Sequence, residues 1–151
     1  MASITDPFSG RETFAADIGR VFGVVTNLDS LAKAVPGLVS SERVGTDAVR
    51  CVVKPGLSFI GGSVKATMSV PEVQAPERAL IRVKSSGIGM TLDIDAALML
   101  SQDAGGTALE WTAKVTAMTG LVKAAPAALV RAAADKVIRD GWTALRKEIE
   151  A

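Results

Sequence analysis

Histidine and tyrosine are absent from all 151 residues. Without histidine the chain lacks the commonest general base and the commonest zinc ligand, which excludes Ser-His-Asp triads, histidine-dependent hydrolysis and the usual zinc sites. Without tyrosine it lacks the phenolic acid that many sites acting on polyketides or steroids use. Carboxylate and lysine chemistry stay open. A single cysteine, Cys51, excludes an intramolecular disulfide framework and fits a reducing compartment. Aromatic residues make up 4% of a chain that is 48% hydrophobic, so its interior is built from Val, Ala, Leu, Ile and Met. An excess of one charge is also missing: 17 basic and 16 acidic residues leave +1, and no basic block offers a footing for nucleic acid. The N-terminus Met1-Ala2-Ser3-Ile4-Thr5-Asp6 has neither the basic region nor the apolar core of a secretory signal, and no apolar run reaches the length of a membrane span. The expectation is one cytoplasmic domain over residues 1–151, long enough to bury its own core.

What is present has a clear order. Phe8 to Phe14 alternates as a strand, Asp17 stands as an N-cap before the helical spacing of Ile18, Val21, Phe22 and Val25, and Asn27 or Asp29 caps a second short helix that stops at Pro36-Gly37. Six runs rich in Val, Ile, Thr and Leu follow, at 38–44, 48–54, 57–70, 78–86, 90–102 and 107–118. The turn residues between them suit tight antiparallel connections. Leu92, Ile94, Ala96, Leu98 and Leu100 face one way and Thr91, Asp93, Asp95 and Ser101 the other, and Leu109, Trp111, Ala113 and Val115 repeat the pattern. Gly61-Gly62 predicts a bulge that curls the sheet. The last stretch, Leu121 to Ile149, predicts one Ala-rich helix with Pro126 in its first turn and an apolar stripe through Val130, Ala134, Val137, Gly141, Leu145 and Ile149. Together these signals predict an α+β fold, a curved seven-stranded antiparallel sheet gripping a long C-terminal helix, with two short helices after strand 1.

That order resembles the helix-grip fold of the Bet v 1/START-like (SRPBCC) superfamily. Leu28-Asp29-Ser30-Leu31-Ala32-Lys33-Ala34-Val35-Pro36-Gly37 is similar to the Leu-Ala-x-x-Leu-Pro-Gly stretch of the CoxG proteins of carbon monoxide dehydrogenase, and it falls just before the second strand, as it does there. Val73-Gln74-Ala75-Pro76 resembles that family's Val-Asp-Pro-Pro turn, with Ala75 in place of one proline, and Gly105-Gly106-Thr107 and the closing helix also fit. The resemblance implies an accessory protein of a molybdenum-containing carbon monoxide dehydrogenase or related redox enzyme. It also implies handling of quinone-like lipids and peripheral contact with the inner face of a membrane.

In such a fold the space between sheet and helix is either packed core or ligand cavity. The expected lining comes from the closing helix with Leu121, Val130, Val137 and Trp142 and from the first short helix with Phe22. The strands add Met68, Met90, Leu92, Leu98, Trp111 and Met118. Methionine and small helix residues favour an adaptable apolar pocket. The ligand expected there is a quinone or lipid, with no catalytic residue, metal or cofactor. A cyclase or aromatase-like enzyme and a filled-core interaction module are the alternatives. Residues 88–90 and 118–122 are expected at the mouth as a lid or contact surface, against a plainer reading in which they cover the core. Asp93 and Asp95, on the polar face, are expected to be solvated, Gly87-Ile88-Gly89 to be a turn rather than a phosphate loop, and Cys51 to be a small buried hydrophobe.

Overall fold

The alternation along the chain folds into a seven-stranded antiparallel sheet of order β1-β7-β6-β5-β4-β3-β2. The structure, a computed structural model, describes residues 6–54, 62–87 and 89–151, with the side chains of 121 and 122 left out. Strand β1 spans Phe8–Phe14, β2 Leu38–Val44, β3 Ala48–Val53, β4 Val64–Gln74, β5 Arg78–Gly87, β6 Met90–Asp103 and β7 Gly106–Gly120. Between β1 and β2 lie helices α1 (Ile18–Val25) and α2 (Leu28–Lys33). Their caps are those the sequence predicts: the Asp17 carboxylate accepts from Arg20 N at 3.2 Å and the Asn27 side chain from Ser30 N at 3.0 Å. Each cap satisfies an amide that the first turn leaves unpaired, which contributes about 1 kcal/mol.

The closing segment differs from the single expected helix. It divides into α3 (Leu121–Ala124) and α4 (Ala127–Ile149), with Pro126 as the N-cap of α4 at φ −57°, ψ 131°. Proline disfavours helical geometry in the residue before it and offers no N–H to the preceding turn, so the break falls at Ala125-Pro126 rather than within one continuous first turn. The expected strand at 57–70 is also displaced. Residues 57–61, including Gly61 of the predicted bulge, lie outside the described residues, and β4 runs on to Gln74. Its register against β5 shifts between Ser69 and Glu72, around Pro71, which has no N–H for the ladder. Further shifts lie between Leu38 and Ser40 and between Asp93 and Ile94.

Packing separates into a large cluster and a small one. Phe14, Val21, Val25, Leu98, Leu100, Leu109, Leu145 and Ile149 belong to the large cluster, under the C-terminal end of α4. Met90 and Val130 form the small one at the other end, with Leu92, Met118 and Ala125 against them. The polar face of the sheet carries ion pairs. Arg82 meets Asp95 through two contacts at 3.0 and 3.3 Å, and this hydrogen-bonded carboxylate raises the guanidinium pKa above its ordinary value. Among the described residues no helix is long and apolar enough to cross a membrane.

Candidate functional site

Along α4 the side chains buried are Val130, Leu145 and Ile149. The stretch from Val130 to Leu145 covers about 22 Å at helical rise, and the helix crosses that distance without burying a side chain. The sheet below has the same profile. Met90 is buried at one end of β6 and Leu98 and Leu100 toward the other, while residues 92–96 between them are only partly covered. Helix and sheet thus pack most tightly toward the two ends of this stretch and more loosely between them, where Trp142 is partly buried against the large cluster.

The looser packing leaves an apolar pocket of about 230 Å³ that is open on one side. Its floor is the inner face of three strands: Ile81 and Val83 from β5, Ala96 and Leu98 from β6, Trp111 and Ala113 from β7. Ala96 and Ala113 are register partners, so two minimal side chains lie side by side in the floor. The roof is Val137, Ile138, Gly141, Trp142 and Leu145 of α4, and one wall is Val25 with Leu31, Ala34, Val35 and Pro36. No lining residue ionises. The cavity can enclose apolar matter through dispersion and water exclusion, but its walls offer no group that moves a proton.

Both tryptophans of the chain stand at this cavity. Their ring centroids are 6.3 Å apart at 35°, and Trp142 also lies 6.1 Å from Phe14 at 46°. The Trp111 indole is seated against Gly10, where an added β-carbon would lie 2.9 Å from Nε1, and that nitrogen is buried without a hydrogen-bond partner among the described residues.

Of the residues expected to line the space, Leu98, Trp111, Val137 and Trp142 stand at the cavity. Phe22 and Met68 lie in the packed large cluster, and Met90, Leu92, Met118 and Val130 form the small cluster beyond it. Leu121 begins α3, and its side chain lies outside the described residues, as does Ile88. Met90 and Met118 therefore cover the core with Val130, as the plainer reading has it. Leu31 and Val35, outside the expected lining, are brought in by how α2 is placed, and Ile81 and Val83 by β5. The alternating apolar positions of β5 were the available signal. Cys51 is fully buried, and burial raises its thiol pKa. Asp95 is engaged by Arg82 on the outer face.

A sequence-family model described as the G subunit of carbon monoxide dehydrogenase (CoxG) matches residues 10–150. Solved structures share the fold. A conserved protein from Geobacillus kaustophilus superposes with a TM-score of 0.85 at 20% identity, covering 95% of each chain. Protein CV1439 from Chromobacterium violaceum gives 0.69 at 16% identity over 96% of this chain and 97% of its own. Mll3558 from Rhizobium loti gives 0.65 at 16% identity over 98% and 99%. A comparison with curated proteins returns no match.

Proposed function

The chain belongs to the CoxG family of carbon monoxide dehydrogenase proteins, and from that premise we propose that it is a non-catalytic carrier of a small apolar molecule, a quinone or lipid. It would serve a molybdenum-containing carbon monoxide dehydrogenase or related redox enzyme, with a peripheral membrane contact as the source or destination of its cargo. Family membership supports the accessory role. The observation that carries the ligand reading is the apolar cavity under the unpacked middle of α4. At about 230 Å³ it is smaller than the roughly 300–1,000 Å³ of drug-sized pockets. It suits one fused ring system or a short hydrocarbon segment, and a longer molecule would leave part of itself outside. Lining without ionisable groups supports holding over the cyclase-type chemistry that the same fold hosts elsewhere, and the void speaks against a filled interaction module.

Native mass spectrometry after gentle purification tests the reading: a retained quinone or lipid, released by organic solvent, is expected. With two tryptophans and no tyrosine, intrinsic fluorescence comes from the cavity wall itself, so 1-aminoanthracene binding should be read directly as energy transfer from the indoles. A protein that carries nothing and shows no saturable transfer would sink the carrier reading.

A further inference from the structure

The pocket opens to solvent on one side, and its walls are unequally covered. Val25 is fully buried, and Leu31, Leu98, Ala113 and Leu145 are nearly so, whereas Ala34, Val35, Pro36, Ile138 and Gly141 are partly open and Val137 is 38% exposed. Ile81, Val83, Ala96, Trp111 and Trp142 are partly open as well, and the most exposed lining residue is Val137, one helical turn from Gly141, where the middle of α4 meets the end of α2. Two small residues meet there: a β-carbon placed on Gly141 would have the Ala34 carbonyl oxygen, 3.8 Å away, as its near neighbour. No long side chain from Ala34 or Gly141 interlocks the helices at this point.

The polar contact between α2 and α4 lies elsewhere, where the Ser30 hydroxyl donates to the Glu148 carboxylate. Seven residues separate Glu148 from Gly141, about 10 Å along the helix. The C-terminal end of α4 is held further by Arg20, whose guanidinium donates to the carbonyls of Glu148 at 2.7 Å and Ile149 at 3.3 Å. The seam is therefore latched at its Glu148 end, and at its Gly141 end it is held, among the described residues, by van der Waals contact alone. Elements without interlocking polar contacts open locally at low cost.

We infer that the seam between Ala34 of α2 and Gly141 of α4 is the portal through which the apolar ligand passes, latched at its far end by the Ser30–Glu148 contact. This rests on the carrier reading above. A portal governs rates and leaves equilibrium affinity alone, because closing it slows arrival and departure equally. A residue that merely lines the cavity changes the affinity.

The test is stopped-flow energy transfer from the tryptophans to 1-aminoanthracene, in the full chain carrying Ala34→Cys and Gly141→Cys. The native Cys51 is buried and does not compete. Relative to the same double variant with its thiols reduced, which carries the same added side chains in the lining, oxidation to a disulfide should slow association and dissociation together by at least tenfold, with the dissociation constants of the two redox forms within twofold of each other, and reduction should restore both rates. A second variant, Ser30→Ala, removes the latch without touching the cavity lining and should speed exchange severalfold at unchanged affinity. Equal exchange rates in oxidised and reduced protein, or a Ser30→Ala protein whose affinity shifts while its exchange rate does not, would place the portal elsewhere and overturn the inference. Absence of probe binding in the unmodified protein would overturn the carrier reading and the portal together, and so is distinct from a misplaced portal.

Discussion

Gly10 of β1 and Trp111 of β7 are register partners, and the indole occupies the space that a side chain at Gly10 would fill: an added β-carbon would lie 2.7 Å from Cζ2 and 2.8 Å from Cε2 of the ring. The missing side chain on an edge strand is what lets the larger tryptophan sit at the cavity wall. Gly10→Ala must therefore displace the indole, and overpacking of this kind costs about 1–3 kcal/mol. The expected result is a lower denaturation midpoint and a shifted emission maximum. An unchanged emission spectrum would mean that the indole position does not depend on Gly10.

Two positions in the floor of the pocket, Ala96 and Leu98, should respond oppositely to changes in volume. Ala96→Leu places new methyl groups in the void, so it should hold or raise stability by up to about 1 kcal/mol while abolishing probe binding. Leu98→Ala, at a position 3% exposed in the packed cluster, should cost about 2–5 kcal/mol. Urea titration paired with 1-aminoanthracene binding separates the two. A strongly destabilised Ala96→Leu protein would show that the space is already filled.

Gly141 is a helix-interior glycine whose β-carbon would find only ordinary contact, 3.8 Å from the Ala34 carbonyl oxygen. Gly141→Ala should raise stability by up to about 1 kcal/mol through helix propensity while weakening probe binding by narrowing the roof. A variant that gains stability and binds the probe more tightly would contradict this placement of Gly141.

Arg146 ties α4 to the first strand through several contacts. It reaches the Glu12 carboxylate at 3.0 Å, the Thr13 carbonyl and Glu150, and its guanidinium sits 4.4 Å from the Phe14 ring centroid. Arg146→Ala should cost about 1–2 kcal/mol, mostly through lost hydrogen bonds and packing. Arg50→Ala breaks a 3.4 Å pair with Glu42 in which both side chains are at least half exposed, and it should change stability by less than about 0.5 kcal/mol. Chemical denaturation of the two variants side by side checks the contrast.

Burial raises the Cys51 thiol pKa, and that fixes the sign of a pH effect. The folded state favours the neutral thiol, so its contribution is fully present below the unfolded thiol pKa of about 8.5 and is lost as pH rises toward and through the higher folded value. Relative to a Cys51→Ala control, the native chain should lose stability between neutral and alkaline pH, and its thiol should resist alkylation until the protein unfolds. Rapid labelling of folded protein at neutral pH would be the contrary result.

Period and punctuation carried most of the fold because they are local. Alternation in β6 and β7 sorts Leu98 from Asp95 by geometry alone, and Asp17 and Asn27 mark helix starts through their own side-chain bonds to nearby amides. The boundaries that moved, at Pro126 and around Pro71, are places where proline acts on its neighbours while the apolar pattern continues across it.

The order of strands and helices, the inward face of each strand and the exclusion of histidine, tyrosine and disulfide chemistry were determined by the amino-acid sequence itself, since each depends on residue type or on neighbours a few positions away. Which inward-facing residues surround a void was decided only in three dimensions. Val137 and Val130 lie on the same apolar stripe, yet Val130 packs against Met90 while Val137 stands at the pocket, because α4 packs tightly toward its two ends and more loosely over small floor residues such as Ala96 and Ala113 between them. The gap depends on distances between elements far apart in the chain, and no local pattern encodes it.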